Sequence, residues 1–381
     1  MLSCQRHLFS IEEGVHYINC AYMAPLLQSV EAAGVAGLKR KNNPQHIAPD
    51  DFFKDAVEVR ALFANLVHAE TDRVALIPSA SYGLATVANN IKAPKGGKVI
   101  TVHEEFVSDV YTLQRICQDH QLELQTITPP EATSNRAKQW NEQILEAIVP
   151  GTVLVNLSSV HWADGTLFNL QAIGKRAKEV GALFVVDGTQ SVGAMEIDVR
   201  QCHIDALICA GYKWLLGPYT SGLAYFGEYF DEGKPLEETW LNRVGSENFS
   251  GLTNYEPAYR AKAARFNMGE FSNFINVPML KAALQQILSW TPDAVHDYCR
   301  ALIKPLTNLL LQHGFWLEEE GHRASHLFGF RLPSNINMET IQQRLAHQKV
   351  IVSRRGSAIR VSPHCYNDEA DIEALINCLT V

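Results

Sequence analysis

An aspartate and a lysine stand where their chemistry could be combined. Asp187 ends a short apolar run, and Lys213 follows 26 residues later in the segment Gly211-Tyr-Lys-Trp-Leu-Leu-Gly-Pro218. A lysine of lowered pKa can form an imine with a carbonyl group. A carboxylate nearby can keep the nitrogen of a pyridine ring protonated, so that the ring withdraws electrons. Taken alone, the two residues favour a simpler interpretation, which is an acid that ends a strand and a lysine exposed to water.

Short apolar strands alternate with helices around this pair. The pattern predicts strands at residues 98–102, 122–126, 152–155, 183–186, 205–209 and 222–226. It predicts helices at residues 52–67, 110–117, 140–148 and 170–180, the last of them capped by Gly181. This alternation is typical of a mainly parallel sheet covered by helices. Ligands of such sheets bind beyond the carboxyl ends of the strands, where Asp187 and Lys213 would both lie.

A second, smaller unit is expected after an irregular connection. Residues 227–275 are rich in glycine and have little periodicity, which is typical of a long functional connection. Beyond it, we expect helices near 279–289, 295–313 and 338–348, and strands near 327–332, 350–353 and 359–361. The sequence therefore predicts an α/β fold with two parts. A large domain would span residues 20–250, and a smaller α+β domain would combine residues 1–19 with residues 251–381.

The composition limits the classes of function. The 381 residues carry a net charge of −8, which leaves no basic excess for binding nucleic acid. No run of about 18 apolar residues predicts a membrane span, and residues 1–10 lack the pattern of a signal peptide. The eight cysteines are scattered without a C-x-x-C pair, which indicates free thiols and no metal site. We expect a soluble cytoplasmic protein of enzyme size.

A longer motif surrounds the aspartate and the lysine. It reads Asp187-Gly-Thr-Gln190, Gly193, Asp198-Val199, Asp205, Lys213, Gly217-Pro218 and Gly222. Further matching pieces lie at residues 17–25, 265–273 and 359–372. Together they resemble the class V aminotransferase family of pyridoxal-phosphate enzymes, which includes cysteine desulfurases, selenocysteine lyases, kynureninases and isopenicillin N epimerases. The resemblance covers most of the chain and implies fold type I, with a helix-covered parallel sheet and a smaller α+β domain.

The resemblance implies pyridoxal 5′-phosphate as the cofactor. Lys213 would form the imine with it and move the proton at the substrate Cα, and Asp187 would pair with the pyridine nitrogen. The other cofactor-binding positions that the family implies are Ser79, Ala80 and Ser81 at the phosphate, Phe106 on the ring, Gln190 by the phenolic oxygen, Tyr212 at the phosphate, and Ser272 and Asn273 across a dimer interface. Independently of the family, a helix starting near residue 80 would offer free N–H groups to an anion.

The same resemblance implies an amino-acid substrate and a homodimer with shared active sites. Arg360 would bind the substrate α-carboxylate, because a guanidinium holds a carboxylate with two parallel hydrogen bonds. Weaker candidates for the substrate pocket are Asn19, His161 and Trp162; simple packing is the alternative for each.

One departure from the family concerns cysteine. A desulfurase carries a nucleophilic cysteine shortly before the arginine, and this chain has none between Cys299 and Cys365. We therefore expect a lyase of the branch that contains kynureninase, selenocysteine lyase and the epimerase. A class V aminotransferase is one alternative, and a homologue that binds the cofactor without catalysis is the second.

Overall fold

The computed structural model describes residues 2–131 and 134–380, which fold around one large sheet flanked by helices. The strands are β1 (His16–Tyr17), β2 (Val74–Ile77), β3 (Lys98–Val102), β4 (Glu123–Ile127), β5 (Thr152–Ser158), β6 (Leu183–Asp187), β7 (Ala206–Ala210), β8 (Gly222–Phe226), β9 (Trp316–Leu317), β10 (Phe328–Arg331), β11 (Val350–Ile351), β12 (Ser353–Arg355) and β13 (Ala358–Val361). The helices are α1 (Gln28–Arg40), α2 (Lys54–Leu66), α3 (Ala80–Asn90), α4 (Val107–His120), α5 (Arg136–Ala147), α6 (Leu170–Val180), α7 (Asn276–Trp290), α8 (Pro292–Gln312), α9 (Met338–His347) and α10 (Glu369–Leu379).

The large sheet is mainly parallel, as the sequence predicts. Its strand order is β2-β8-β7-β6-β5-β3-β4, and only β8 runs against its neighbours among these strands. Every residue of β2 and β7 is buried, because helices cover a parallel sheet on its faces and leave no side for water. The predicted α/β architecture of fold type I is confirmed.

The C-terminal part contains an antiparallel sheet of four strands, in the order β12-β13-β10-β9. A separate apolar cluster lies here, formed by side chains of α8, α9, α10 and these strands. Strand β1 pairs with β11, which joins the N-terminal segment to this part. Helix α7 instead packs on α1 and α2 beside the large sheet. The division into two domains at residues 19 and 250 stays a prediction.

Local patterns predicted most elements to within a few residues. Helix α6 has the predicted bounds, and Gly181 ends it with a φ of 76°. Residues 227–275, all of them described, contain only short 3₁₀ turns and irregular backbone, as expected. The sequence patterns did not predict α1, α10, β1, β2 or β9. Within the described parts of the chain, no helix is long and apolar enough to cross a membrane.

Candidate active site

A cavity of about 350 Å³ opens beyond the carboxyl ends of β6 and β7, and Asp187 and Lys213 both line it. The two strands pair in parallel, with Asp187 beside Ile208, so the loops that follow them meet at one edge of the sheet. The other lining residues are Pro78, Ser79, Ala80, Ser81, Glu105, Phe106, Ser108, Ser158, Trp162, Thr189, Gln190, Ala210, Tyr212, Tyr219, Thr220 and Ser221. Most of the predicted cofactor-binding residues therefore lie in one cavity.

Asp187 is a buried carboxylate at the end of β6. The backbone N–H of Thr189 donates a hydrogen bond of 2.8 Å to its Oδ1. Burial raises the pKa of Asp187, and the hydrogen bonds from Thr189 and the charge of Lys213 oppose that rise. A carboxylate held in this way is suited to bind a cationic N–H of a ligand.

A second carboxyl group, that of Asp109, lies deeper than Asp187. Asp109 is 0% exposed, and neither of its carboxyl oxygens has a hydrogen-bonding partner among the described residues. Burial raises the pKa of Asp109 well above its usual value, and the carboxylates of Asp187 and Glu105 raise it further. Burial and the two neighbouring carboxylates therefore both favour the neutral form of the Asp109 carboxyl group. Glu105 differs because its oxygens accept hydrogen bonds of 2.7 Å from the backbone N–H groups of Phe106 and Ser158.

Lys213 stands on the loop after β7, and a glycine fixes the position of that loop. Gly193 has a φ of +100°, and a Cβ at this position would overlap the carbonyl oxygen of Trp214. The loop can therefore pack directly on the segment that follows Asp187. The Nζ of Lys213 lies 5.5 Å from the ring centre of Phe106 and 5.6 Å from that of Tyr212.

The environment of Lys213 lowers the pKa of its side chain. Burial lowers the pKa of Lys213 to about 8, although the charge of Asp187 acts in the opposite direction. Arg360 and Arg355 also lower this pKa, because they are further positive charges. A lysine whose pKa lies near neutrality can act as a nucleophile or a proton carrier.

The start of α3 forms an anion-binding corner of the same cavity. Ser79 is the N-cap, and its side chain accepts a hydrogen bond from the backbone N–H of Tyr82. Ala80 and Ser81 form the first turn and line the cavity with it. The free N–H groups and the positive end of the helix dipole favour an anionic group here.

Gln190 is fixed by its own contacts. Its side-chain Nε2 donates to the Ala21 carbonyl at 3.3 Å, and its Oε1 accepts from the Trp214 indole at 3.0 Å. The backbone carbonyl of Gln190 accepts a hydrogen bond of 2.7 Å from Nε2 of His326. The amide therefore stands at the border of the cavity in one orientation.

A second cavity, of about 330 Å³, adjoins the first. Lys213, Phe106 and Trp162 line both cavities, whereas Arg355 and Arg360 line only the second. The Arg360 residue is 1% exposed, and its Nη1 donates to the carbonyl of Trp162 at 2.9 Å. Its Nε and Nη2 have no partner within the described chain, so the donors on these two nitrogens are free for an anion. Burial lowers the pKa of Arg360 to about 9, which leaves the side chain charged at neutral pH.

Trp162 and Phe106 form an aromatic wall between the cavities. Their rings meet edge to face, with centres 5.8 Å apart. The Trp162 indole donates to the carbonyl of Glu104 at 2.7 Å, which fixes its plane. On another wall, the Tyr212 ring packs on Tyr219 with centres 4.6 Å apart.

Asn19 and His161 lie behind the walls of the cavities. Asn19 accepts a hydrogen bond of 2.8 Å from Ser353 and pairs as a bridge with Ser362. His161 contacts the Asp164 carboxylate at 3.0 Å and the His103 carbonyl at 3.2 Å. Burial lowers the pKa of His161, but the charge and hydrogen bond of Asp164, the charge of Glu105 and the His103 carbonyl together outweigh burial, so the net shift is upward. Direct substrate contact by these two residues stays a prediction.

Ser272 and Asn273 stand away from both cavities in this chain. Asn273 caps the start of α7, since its side-chain oxygen accepts hydrogen bonds from the backbone N–H groups of Ile275 and Asn276 at 3.0 and 2.8 Å. Their predicted role at a cofactor across a dimer interface stays a prediction.

Several lining residues were not singled out by the sequence analysis, among them Tyr22, Glu105, Thr189, Tyr219, Ser221 and Arg355. Thr189 lies close after Asp187 in the chain, and Glu105 directly precedes Phe106. Their position just after a strand was therefore the signal that could have identified them. Tyr22 falls within the matching piece at residues 17–25, but no role was assigned to it, and no local pattern identifies Arg355.

Comparisons with known proteins identify the family of the chain. The family model of class-V aminotransferases matches residues 38–375. An uncharacterized aminotransferase of Bacillus subtilis is 27% identical over 85% of this chain and 84% of its own, and a probable cysteine desulfurase of Pyrococcus abyssi is 28% identical over 84% and 82%. The solved apo structure of a cysteine desulfurase from Thermococcus onnurineus superposes with a TM-score of 0.85 at 20% identity, covering 100% of this chain and 98% of that one. The chain therefore belongs to the class V aminotransferase family, whose enzymes use pyridoxal 5′-phosphate.

Proposed function

We propose that the protein is a lyase that uses pyridoxal 5′-phosphate on an amino-acid substrate and needs no catalytic cysteine. One observation carries the proposal, namely the position of Lys213 on the shared wall of two cavities. One cavity contains a buried carboxylate and a helix N-terminus, and the other contains the free N–H groups of Arg360. The first suits the cofactor and the second suits the carboxylate of an amino acid.

The residues of the first cavity fit the cofactor part by part. The N-terminus of α3 at Ser79 and Ser81 would hold the phosphate, because its free N–H groups favour an anion. Asp187 would hold the ring nitrogen in its protonated form, and Phe106 would pack on the ring face. When bound, the cofactor withdraws electrons from the substrate Cα.

Lys213 would move the proton at the substrate Cα. Burial lowers its pKa to about 8, so Lys213 loses its proton more readily than an ordinary lysine and can exchange a proton with the substrate. Its position beside both Phe106 and Tyr212 keeps Nζ next to the aromatic wall that the two cavities share. Arg360 would orient the Cα towards that amine by holding the α-carboxylate.

The cysteines support chemistry without a thiolate. Among the residues that the structure describes, no cysteine lines either cavity. Cys365 is buried and contacts the ring of His364 at 3.1 Å, and burial raises the pKa of its thiol. Cys20 precedes Ala21, which lines the second cavity, and burial likewise raises the pKa of the Cys20 thiol. Neither thiol is suited to attack a substrate sulfur, because attack needs the thiolate.

An aminotransferase is the second candidate, and the relationship to the Bacillus protein favours it. The two reactions differ in one requirement, since transamination consumes a keto acid and a lyase reaction does not. The holoprotein should therefore be mixed with single amino acids, with and without pyruvate or 2-oxoglutarate. Product formation without a keto acid supports the lyase, and strict dependence on a keto acid supports the aminotransferase.

Two variants make this experiment decisive. Lys213→Ala removes the amine at the shared wall and should abolish turnover in either reaction. Lys175→Ala changes an exposed lysine of α6 and should leave turnover unchanged. If the wild-type protein binds the cofactor but turns over no amino acid faster than Lys213→Ala does, the protein is a non-catalytic homologue.

A further inference from the structure

The β12–β13 hairpin places two arginines on one face. Arg355 pairs with Ala358, and Ser353 pairs with Arg360. Side chains that face each other across an antiparallel pair, and those two residues apart on a strand, point to the same side. Arg355 and Arg360 are therefore diagonal neighbours on one face. The turn between the strands contains Gly356 with a φ of 56°, a backbone conformation that glycine adopts without strain.

Both arginines reach the second cavity and contact the same tryptophan. Arg360 donates to the carbonyl of Trp162, and the guanidinium carbon of Arg355 lies 5.5 Å from the centre of the Trp162 ring. The Nη1 of Arg355 donates to the carbonyl of Arg354 at 2.8 Å, whereas its Nε has no partner in the described chain. Each of the two guanidinium groups is thus anchored on one side and retains free donors.

The second cavity is strongly positive. Lys213, Arg355 and Arg360 line it, and none of its described lining residues is an aspartate or a glutamate. Placing two like charges diagonally on one sheet face is unfavourable, and burial increases the cost unless an anion pairs with them. Arg360, whose Nε and Nη2 both lack a partner, can hold both oxygens of an α-carboxylate with two parallel hydrogen bonds. The second arginine is left for another anionic group of the same ligand.

We propose that the substrate is an amino acid whose side chain ends in a second acidic group, which Arg355 binds while Arg360 binds the α-carboxylate. This inference rests on the proposed function, since it assigns the substrate class to the same site. A cavity of about 330 Å³ has room for a molecule of this size. The side-chain acid is a carboxylate or a sulfur oxyacid, because a guanidinium binds the oxygens of both.

Binding to the holoprotein tests the inference without turnover. Succinate and glutarate should bind at least about tenfold more tightly in calorimetry than butyrate and valerate, which lack the second carboxylate. Arg355→Gln should remove this preference, because it should weaken the binding of the diacids about tenfold more than that of the monoacids. Arg355→Lys keeps the positive charge but loses the planar guanidinium that makes two parallel hydrogen bonds, so it should retain part of the preference. Arg354→Gln is the matched control, because Arg354 is exposed and lines neither cavity.

Turnover then distinguishes a side-chain carboxylate from a sulfur oxyacid. It also distinguishes a failure of this inference from a failure of the proposed function. Comparing kcat/KM for aspartate with asparagine, glutamate with glutamine, and cysteine sulfinate with cysteine should favour the acidic member of a pair by about tenfold or more. The inference alone fails if neutral amino acids are turned over best and Arg355→Gln leaves their kcat/KM unchanged. It also fails if Arg355→Gln weakens monoacids and diacids equally. The proposed function alone fails if diacids bind with the expected preference but no amino acid is turned over.

Discussion

Replacing Arg360 by lysine tests how the substrate carboxylate is held. The guanidinium has two N–H positions without a partner, Nε and Nη2, and a third that is anchored on the Trp162 carbonyl. Two parallel bonds to a carboxylate can form from this arrangement, whereas an ammonium group makes one directed bond and loses the anchor. A hydrogen bond to a charged group contributes about 1.5–3 kcal/mol. A loss of about 2 kcal/mol corresponds to roughly a 30-fold weaker affinity.

Steady-state kinetics with the holoprotein measures this effect. We expect Arg360→Lys to raise KM about 30-fold and to change kcat by no more than several-fold, because the carboxylate is bound in the ground state and in the transition state alike. Arg354→Lys serves as the control on the same hairpin and should match the wild type. A fall in kcat at unchanged KM would refute the role of Arg360 as the carboxylate anchor.

Further predictions follow from other residues of the site and the core. The holoprotein should absorb in the visible, and borohydride reduction with peptide mapping should find the cofactor on Lys213; label on another lysine would contradict its role. Cys365→Ser should keep turnover within a few-fold, whereas a persulfide trapped on Cys365 would indicate a rearranged desulfurase. Sedimentation should find a dimer, as the predicted role of Ser272 requires, and an active monomer would argue against it. Burial lowers the pKa values of His326 and His364 to about 3 from an ordinary 6.5. As the pH falls below 6.5, these two side chains therefore bind protons in the unfolded chain before they do so in the folded protein. The stability present above pH 6.5 should therefore decline towards pH 3, and equal denaturation midpoints at pH 7 and pH 5 would rule this out.

The parallel sheet and the lysine loop could be predicted because their signals are local. A strand buried on both faces is a short apolar run, and β3 and β8 have the bounds that such runs predict. Asp187 ends one strand of this kind and Lys213 lies on the loop that follows the next, so sheet topology alone brings them to one edge. The N-terminus of α3 was predictable for the same reason, since Ser79 is a favourable N-cap.

The missed elements depend on tertiary packing. Helix α1 contains Gly34 and Gly37, which disfavour a helix by themselves, and its packing on α7 stabilises it instead. Strands β1 and β9 have only two residues each, too few for an alternating pattern to be recognised. Pairing with β11 and β10, far away in the sequence, defines them as strands.

The polar residues show the same limit more clearly. His161 and Arg360 were both candidates from sequence, yet the structure satisfies both ring nitrogens of His161 and leaves two nitrogens of Arg360 free. This difference depends on the number of hydrogen-bond acceptors that the fold brings to each side chain, and not on the residue type. His161 meets a carboxylate and a carbonyl, whereas Arg360 meets one carbonyl and a cavity. A buried donor without an internal partner is costly, so a ligand that supplies the missing acceptors stabilises the folded site as it binds. At Arg355 and Arg360, donors without a partner occur together with a cavity, and this combination becomes visible only when the whole chain is folded.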